Sequence, residues 1–90
     1  MGDPSQQMVT FRELDEAAHC PKGTTFRAFK ALSDQLREGV DYVLLRADSD
    51  GARIESLRAQ GRIYNSSVNV VLLQHQAADR VRDNIMKAPQ

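Results

Sequence analysis

Ninety residues limit the chain to one small domain, because protein domains typically run from about 50 to 250 residues. The composition is that of a globular chain, with 41% hydrophobic and 27% charged residues and a formal net charge of zero. Cys20 is the single cysteine, which excludes an intramolecular disulfide, and no apolar run approaches the roughly 20 residues that span a bilayer, so we expect a cytoplasmic protein that does not enter a membrane.

The first predicted helix begins at Thr10. Thr10 and Glu13 have the spacing of a reciprocal capping box, and Val9 precedes them in the position of a hydrophobic staple. Pro21 disfavours helical geometry at the preceding residue and Gly23 tolerates positive φ, so the segment that contains them should end the helix and form a tight turn. The expected apolar face of this helix consists of Leu14, Ala17 and Ala18.

A second helix should follow the turn, with Thr24 or Thr25 as its N-cap. Its apolar residues recur at helical spacing, at Phe26, Phe29, Leu32 and Leu36. The remaining faces carry Arg27, Ala28, Lys30 and Ala31. A face that is small and basic is typical of a helix that enters the major groove of DNA.

The next segment predicts a strand and then a short helix. Residues 40–45 are rich in strand formers, with Val40, Tyr42 and Leu44 alternating on one face. Asp48 or Ser49 can cap a short, exposed helix, which should end at Gly61.

A hairpin is predicted after this helix. Two extended runs, Arg62 to Tyr64 and Val68 to Leu73, flank the polar residues Asn65, Ser66 and Ser67. Strand formers on both sides of a short polar turn favour a β-hairpin, which would be the wing of the domain.

Residues 76–86 predict a final helix whose apolar stripe consists of Ala77, Ala78, Val81 and Ile85. In an alternative interpretation, Ser66 or Ser67 caps one long helix from Val68 to Met86, but the β-branched run at its start favours a strand. The stripe either packs on the core of its own domain or forms a weak homodimer through Ala78, Val81 and Ile85.

A capped helix, a tight turn and a second helix before an extended segment resemble a helix-turn-helix. The residues that carry the resemblance are Leu14, Ala17, Gly23, Thr24, Thr25, Phe26 and Phe29. The pattern is similar to the opening of the winged-helix domains of MerR-type regulators, phage excisionases and phage terminase small subunits, and it covers about half of the chain. The resemblance implies an α+β winged helix-turn-helix, with a helical N-terminal half, a small antiparallel sheet and a C-terminal helix. We expect it to occupy residues 9–87, with residues 1–8 and 88–90 disordered.

The charges are unevenly distributed along the chain although they sum to zero. Residues 19–46 carry five basic and three acidic residues, and residues 62–90 carry four basic and two acidic ones. Because DNA affinity depends on the number of phosphates neutralised, such local excesses permit DNA binding that is weak and strongly salt-dependent.

These features predict a small protein that binds double-stranded DNA with its second helix in the major groove, as a transcriptional regulator or a phage or mobile-element accessory factor. The N-terminus of that helix would hold a phosphate. The residues expected to contact DNA are Lys22, Thr24, Thr25, Arg27, Lys30, Arg62, Asn65, Ser66, Ser67 and Asn69. The alternative is a protein-interaction module that keeps the winged-helix fold without binding DNA, and the zero net charge keeps this alternative open.

Catalysis and metal binding find no support in the sequence. It contains no nucleophile elbow, no phosphate-binding glycine loop and no ligand set with metal-binding spacing. His19 and Cys20 are adjacent, so they rarely point at one metal ion, and there is no second cysteine for a structural zinc site. We therefore expect no enzymatic activity and no cofactor.

Overall fold

The computed structural model describes residues 8–87, within which short strands alternate with helices. The elements in chain order are β1 (Val9–Thr10), α1 (Phe11–Ala17), α2 (Thr24–Leu32), a 3-10 turn (Ser33–Gln35), β2 (Tyr42–Leu45), α3 (Gly51–Ala59), β3 (Val70–Leu73) and α4 (His75–Lys87). In this part of the chain, no helix has the length and apolar character needed to cross a membrane. The disorder predicted for residues 1–7 and 88–90 concerns segments outside the described residues.

The three strands form one antiparallel sheet in the order β1-β3-β2. β3 is the central strand, with Val9 of β1 opposite Leu73 and with Leu45 of β2 opposite Val70. The sheet and the surrounding helices confirm a small α+β domain with an antiparallel sheet and a C-terminal helix.

Two apolar clusters cover the two faces of the sheet. Successive side chains of a strand point to opposite faces, so Leu72 and Leu73 of β3 enter different clusters. The first cluster brings α1, α2 and α4 together through Leu14, Ala28, Phe29, Leu36, Leu73, Ala77, Ala78, Val81 and Ile85. The second packs α3 on the other face through Leu45, Ile54, Leu57, Ile63, Val70 and Leu72. The domain therefore has three layers, with the sheet in the middle.

Local signals predicted several boundaries correctly. The Thr10 hydroxyl accepts a hydrogen bond from the Glu13 backbone and the Glu13 carboxylate accepts one from the Thr10 backbone, which confirms the capping box. Gly23 and Gly61 have the left-handed backbone expected of helix-ending residues, with φ of 95° and 73°. Met8, which we expected to be disordered, packs against the second apolar cluster.

The predicted hairpin is not present. Residues 62–64 form no strand, and β3 pairs with β2 and β1 instead. The polar turn itself does form, since the Ser67 amide donates to the Tyr64 carbonyl. The backbone before the turn is bound elsewhere, because the Thr10 hydroxyl donates to the Arg62 carbonyl over 2.5 Å and the Arg12 guanidinium donates to the Ile63 carbonyl over 3.1 Å. Side chains of the N-terminal segment thus replace the partner strand that the hairpin would need.

The apolar stripe of α4 is internal, which corrects the expected homodimer. Ala78, Val81 and Ile85 are 4%, 0% and 8% exposed within the single chain. They pack against α1, α2 and the sheet, so they offer no free surface to a second copy. The separate strand β3 before α4 also rules out the alternative of one long helix.

We predict that Val81→Asp unfolds the domain. A carboxylate at this fully buried position would have no partner, and an uncompensated buried charge costs about 3 to 5 kcal/mol. Thermal unfolding followed by circular dichroism, together with sedimentation, measures the effect. Met86→Asp is the matched control, because Met86 lies on the same helix and is 71% exposed, so its melting temperature should stay close to that of the unmutated chain. If the unmutated chain were a dimer and the Val81→Asp variant a folded monomer, the assignment of Val81 to the core would be wrong.

Candidate functional site

A buried carboxylate lies at the centre of the turn between α1 and α2. Asp15 is 1% exposed, although it follows the first turn of a surface helix. Its Oδ1 accepts hydrogen bonds from the Thr25 amide and hydroxyl at 2.8 and 2.7 Å. Its Oδ2 accepts from the Gly23 amide at 3.2 Å and from the Tyr64 hydroxyl at 2.6 Å. The carboxylate thus joins α1, the start of α2 and the loop after α3.

The hydrogen bonds keep this carboxylate ionised despite its burial. Burial raises the pKa of Asp15, but the hydrogen bonds from Tyr64, Thr25 and Gly23 outweigh it, so that the pKa lies below its ordinary value. Tyr64, whose hydroxyl donates to Asp15 over 2.6 Å, has a pKa raised to about 12 by burial and by the neighbouring Asp15 carboxylate. At neutral pH Tyr64 is therefore the hydrogen donor and Asp15 the charged acceptor.

Asp15 also caps the N-terminus of α2, which corrects two expectations. The N-cap residue is Gly23 and not a threonine, and it makes no side-chain cap of its own. The Gly23 and Thr25 amides donate to the Asp15 carboxylate, so the place that we expected a DNA phosphate to occupy already holds a negative charge. Thr25 is 0% exposed, with its hydroxyl bound to Asp15, and so it cannot contact DNA.

The outer face of α2 is basic and carries an exposed aromatic ring. Ala28, predicted on the outer face, is buried, whereas Phe26, predicted in the core, is 47% exposed. Arg27 and Lys30 are exposed, as the sequence predicted. The Lys30 ammonium lies 5.5 Å from the centre of the Phe26 ring, within the range of a cation-π contact.

The loop between α3 and β3 lies against the turn between α1 and α2. The Lys22 ammonium donates to the Ser66 hydroxyl over 2.8 Å and lies 5.0 Å from the centre of the Tyr64 ring. The structure therefore brings together two predicted DNA contacts that are far apart in the sequence. Asn65 is exposed in the same turn.

The other predicted contacts in this loop have structural partners. Arg62 donates to the Glu13 carboxylate at 3.1 Å and to the Met8 carbonyl at 2.7 Å, and its side chain is only 15% exposed. The Asn69 amide oxygen accepts from the Ala47 amide, and the Ser67 carbonyl accepts from the Arg58 guanidinium. Arg62 therefore holds the loop on α1.

A groove of about 370 Å³ opens between the start of α2, the sheet and this loop. Its apolar lining includes Phe11, Phe26, Leu44, Ile63 and Val71. Lys22 and Arg12 also line it, and Asp15, the acidic residue among the lining residues, has both oxygens occupied by hydrogen bonds. No local sequence pattern indicates this groove, because its walls come from segments that only the fold brings together.

Two stretches of the sequence that contain no acidic residue meet at this site. Residues 17–33 and residues 61–78 contain neither aspartate nor glutamate. The hydrogen bond between Lys22 and Ser66 joins the two stretches. The absence of acidic residues from these two stretches can be read from the sequence. It does not show in the net charges of residues 19–46 and 62–90, because those longer segments include acidic residues.

Comparison of the chain with protein families, with curated proteins and with solved structures finds no match. Within residues 8–87, no cluster of histidine, cysteine, aspartate and glutamate side chains could hold a metal ion. The functional assignment therefore depends on the geometry and charge of this site.

We predict that Asp15→Asn destabilises the domain by about 1 to 3 kcal/mol, because an amide cannot accept all the hydrogen bonds that the carboxylate accepts. Urea unfolding measures the loss. Glu16→Gln is the matched control, since Glu16 is exposed and pairs along the helix with Arg12, a type of contact that contributes about 0.3 to 0.5 kcal/mol. Equal stability of Asp15→Asn and the unmutated chain would show that the carboxylate does not hold the turn together.

We also predict that acid weakens the domain through this carboxylate. The folded chain holds the pKa of Asp15 below its ordinary value of 3.8, so the unfolded chain takes up the proton first. The stabilisation is fully present above that value and is lost as the pH falls through the lower pKa of the folded state. Urea unfolding at a series of pH values below 5 should show a shallower decline for Asp15→Asn than for the unmutated chain. Parallel declines would assign the acid sensitivity to other carboxyls, such as Glu13, whose pKa is also lowered.

Proposed function

We propose that this protein binds double-stranded DNA through α2 and the adjoining loop, as a helix-turn-helix protein related in architecture to winged helices. The observation that carries the proposal is the meeting of residues 17–33 with residues 61–78, two stretches that contain no acidic residue although the whole chain is neutral. The Asp15 carboxylate that joins them is only 1% exposed. A polyanion is attracted to the local field of such a surface, and the acidic residues elsewhere in the chain keep the net charge at zero.

Arg27 and Lys30 are the residues proposed to enter the major groove. Both are exposed on α2, which has no acidic residue of its own. Arginine can donate two hydrogen bonds to guanine, and lysine can bind a base edge or a phosphate. The α1-α2 turn sets the orientation of this helix, because Asp15 fixes its N-terminus.

Lys22, Asn65 and Ser66 are proposed to bind the DNA backbone beside the helix. They are exposed, and the contact between Lys22 and Ser66 places the loop next to the N-terminal end of α2. Contacts of this kind position a protein on DNA without reading its sequence. In this proposal the loop would serve as the wing does in a winged helix, although it is held by side-chain hydrogen bonds and not by a hairpin.

A regulator of transcription or an accessory factor of a phage or mobile element is the proposed biological role. The support is the order of a capped helix, a tight turn and a second helix before a strand, which the structure contains at the positions the sequence predicted. Such proteins act by occupying a DNA site, for which a small rigid domain suffices.

We predict that Arg27→Ala weakens binding to duplex DNA by about 1 to 3 kcal/mol and relaxes sequence preference if Arg27 reads a base. Lys30→Ala should weaken binding more uniformly and reduce the slope of affinity against salt by about one. Fluorescence anisotropy with a randomised set of labelled duplexes at several salt concentrations measures both effects.

Arg82→Ala is the charge-matched control for this experiment. Arg82 is exposed on α4, on the flank opposite Asn84, whose amide reaches the Ala28 carbonyl of α2. Its loss should leave the affinity nearly unchanged. If the unmutated chain shows no salt-dependent binding, or if all three variants lose affinity equally, α2 is not the DNA-contacting helix.

A further inference from the structure

The groove beside α2 has an apolar lining that duplex DNA would leave uncovered. Phe26 is an exposed aromatic residue at the groove. Leu44 and Val71 also line the groove and are half-buried on the sheet beneath Phe26. The outer surface of a DNA duplex consists of phosphates and sugars, which neither enter nor desolvate a recess of this kind. Its volume of about 370 Å³ lies within the range of pockets that bind small ligands or single side chains, roughly 300 to 1,000 Å³.

The ring geometry around the groove disfavours base stacking as its purpose. The Tyr64 ring already has two cations over it, with the Arg12 guanidinium and the Lys22 ammonium 5.5 and 5.0 Å from its centre. The Phe26 ring meets Phe11 edge to face and has the Lys30 ammonium 5.5 Å from its centre. A stacking nucleobase would therefore compete with cations that already lie over both rings.

The positively charged side chains at the rim of the groove favour a negatively charged ligand. Lys22 lines the groove, and Lys30 lies beside Phe26. Arg12 lines it too, but its guanidinium is paired with the Glu16 carboxylate at 2.9 Å. Asp15 has both carboxylate oxygens bound by donors of this chain, so it offers no free acceptor to a basic ligand. An apolar recess with a cationic rim is complementary to a large apolar side chain that has acidic neighbours.

We infer that this groove binds an acidic peptide segment of a partner protein, which inserts one bulky apolar side chain between Phe26 and the sheet and places its carboxylates near Lys22. A short segment of this kind is anchored by one apolar residue and oriented by charge. The inference does not depend on DNA binding, because its anchor is the apolar groove and not the Arg27 and Lys30 side chains.

The test uses a fluorescein-labelled peptide in which adjacent phenylalanine and leucine residues are flanked on both sides by aspartates. Titration into the ¹⁵N-labelled full chain should shift the amides of Lys22, Phe26, Leu44 and Val71 and leave those of α3 unchanged. Fluorescence anisotropy should show affinity lowered about tenfold or more by Phe26→Ser and several-fold by Lys22→Glu. Arg82→Ala, outside the groove, should bind the peptide as the unmutated chain does.

A second peptide, with serine in place of the two apolar residues, separates apolar docking from simple charge attraction. Equal binding of the two peptides, or shifts confined to lysine and arginine amides, would overturn the inference. So would larger shifts of the same four amides on addition of a single-stranded oligonucleotide, which would assign the groove to nucleic acid. The titration of the unmutated chain decides the matter even if Phe26→Ser does not fold. Since duplex DNA is absent from this experiment, its failure leaves the proposal for α2 untouched.

Discussion

The Asp15 carboxylate is the contact on which the arrangement of the N-terminal half depends. Its two oxygens accept hydrogen bonds from Gly23, Thr25 and Tyr64, so one side chain of α1 fixes both the start of α2 and the loop that follows α3. A buried carboxylate is costly unless donors surround it, and here the folded chain supplies them. The same contact places a negative charge at the positive end of the α2 dipole, so a carboxylate of this chain already occupies the position where that end could hold an anion.

A second set of contacts places the loop where the proposed interface needs it. Thr10, Arg12 and Glu13 at the start of α1 bind the backbone or side chain of residues 62 and 63. The loop is thereby held at the mouth of the α1-α2 turn, and Lys22 reaches Ser66. Two stretches without acidic residues become one surface only because these contacts close over a long separation in sequence. The zero net charge of the chain therefore says little about the field at this surface.

Most elements could be predicted because their signals are local. The capping box at Thr10 and Glu13, the helix-ending Gly23 and the β-branched start of β3 act within a few residues, and each element formed close to its predicted position. The hairpin failed for the opposite reason. Residues 62–64 have the composition of a strand, but their carbonyls are satisfied by side chains from the start of the domain, a competition that the local pattern does not contain.

The sequence by itself determined the α+β class, the four helices, the strands β2 and β3 and the basic residues of α2, because hydrophobic period, capping and turn chemistry are properties of neighbouring residues. Only the tertiary structure decided which predicted contacts are accessible. Thr25 binds Asp15, and Arg62 binds Glu13. The apolar stripe of α4 is buried in the core. It also decided that Phe26 lies outside and Ala28 inside, because the direction from which α4 and the sheet approach α2 selects its buried face. The groove beside Phe26 also depends on the tertiary structure, since its walls come from α1, α2, the sheet and the loop between α3 and β3.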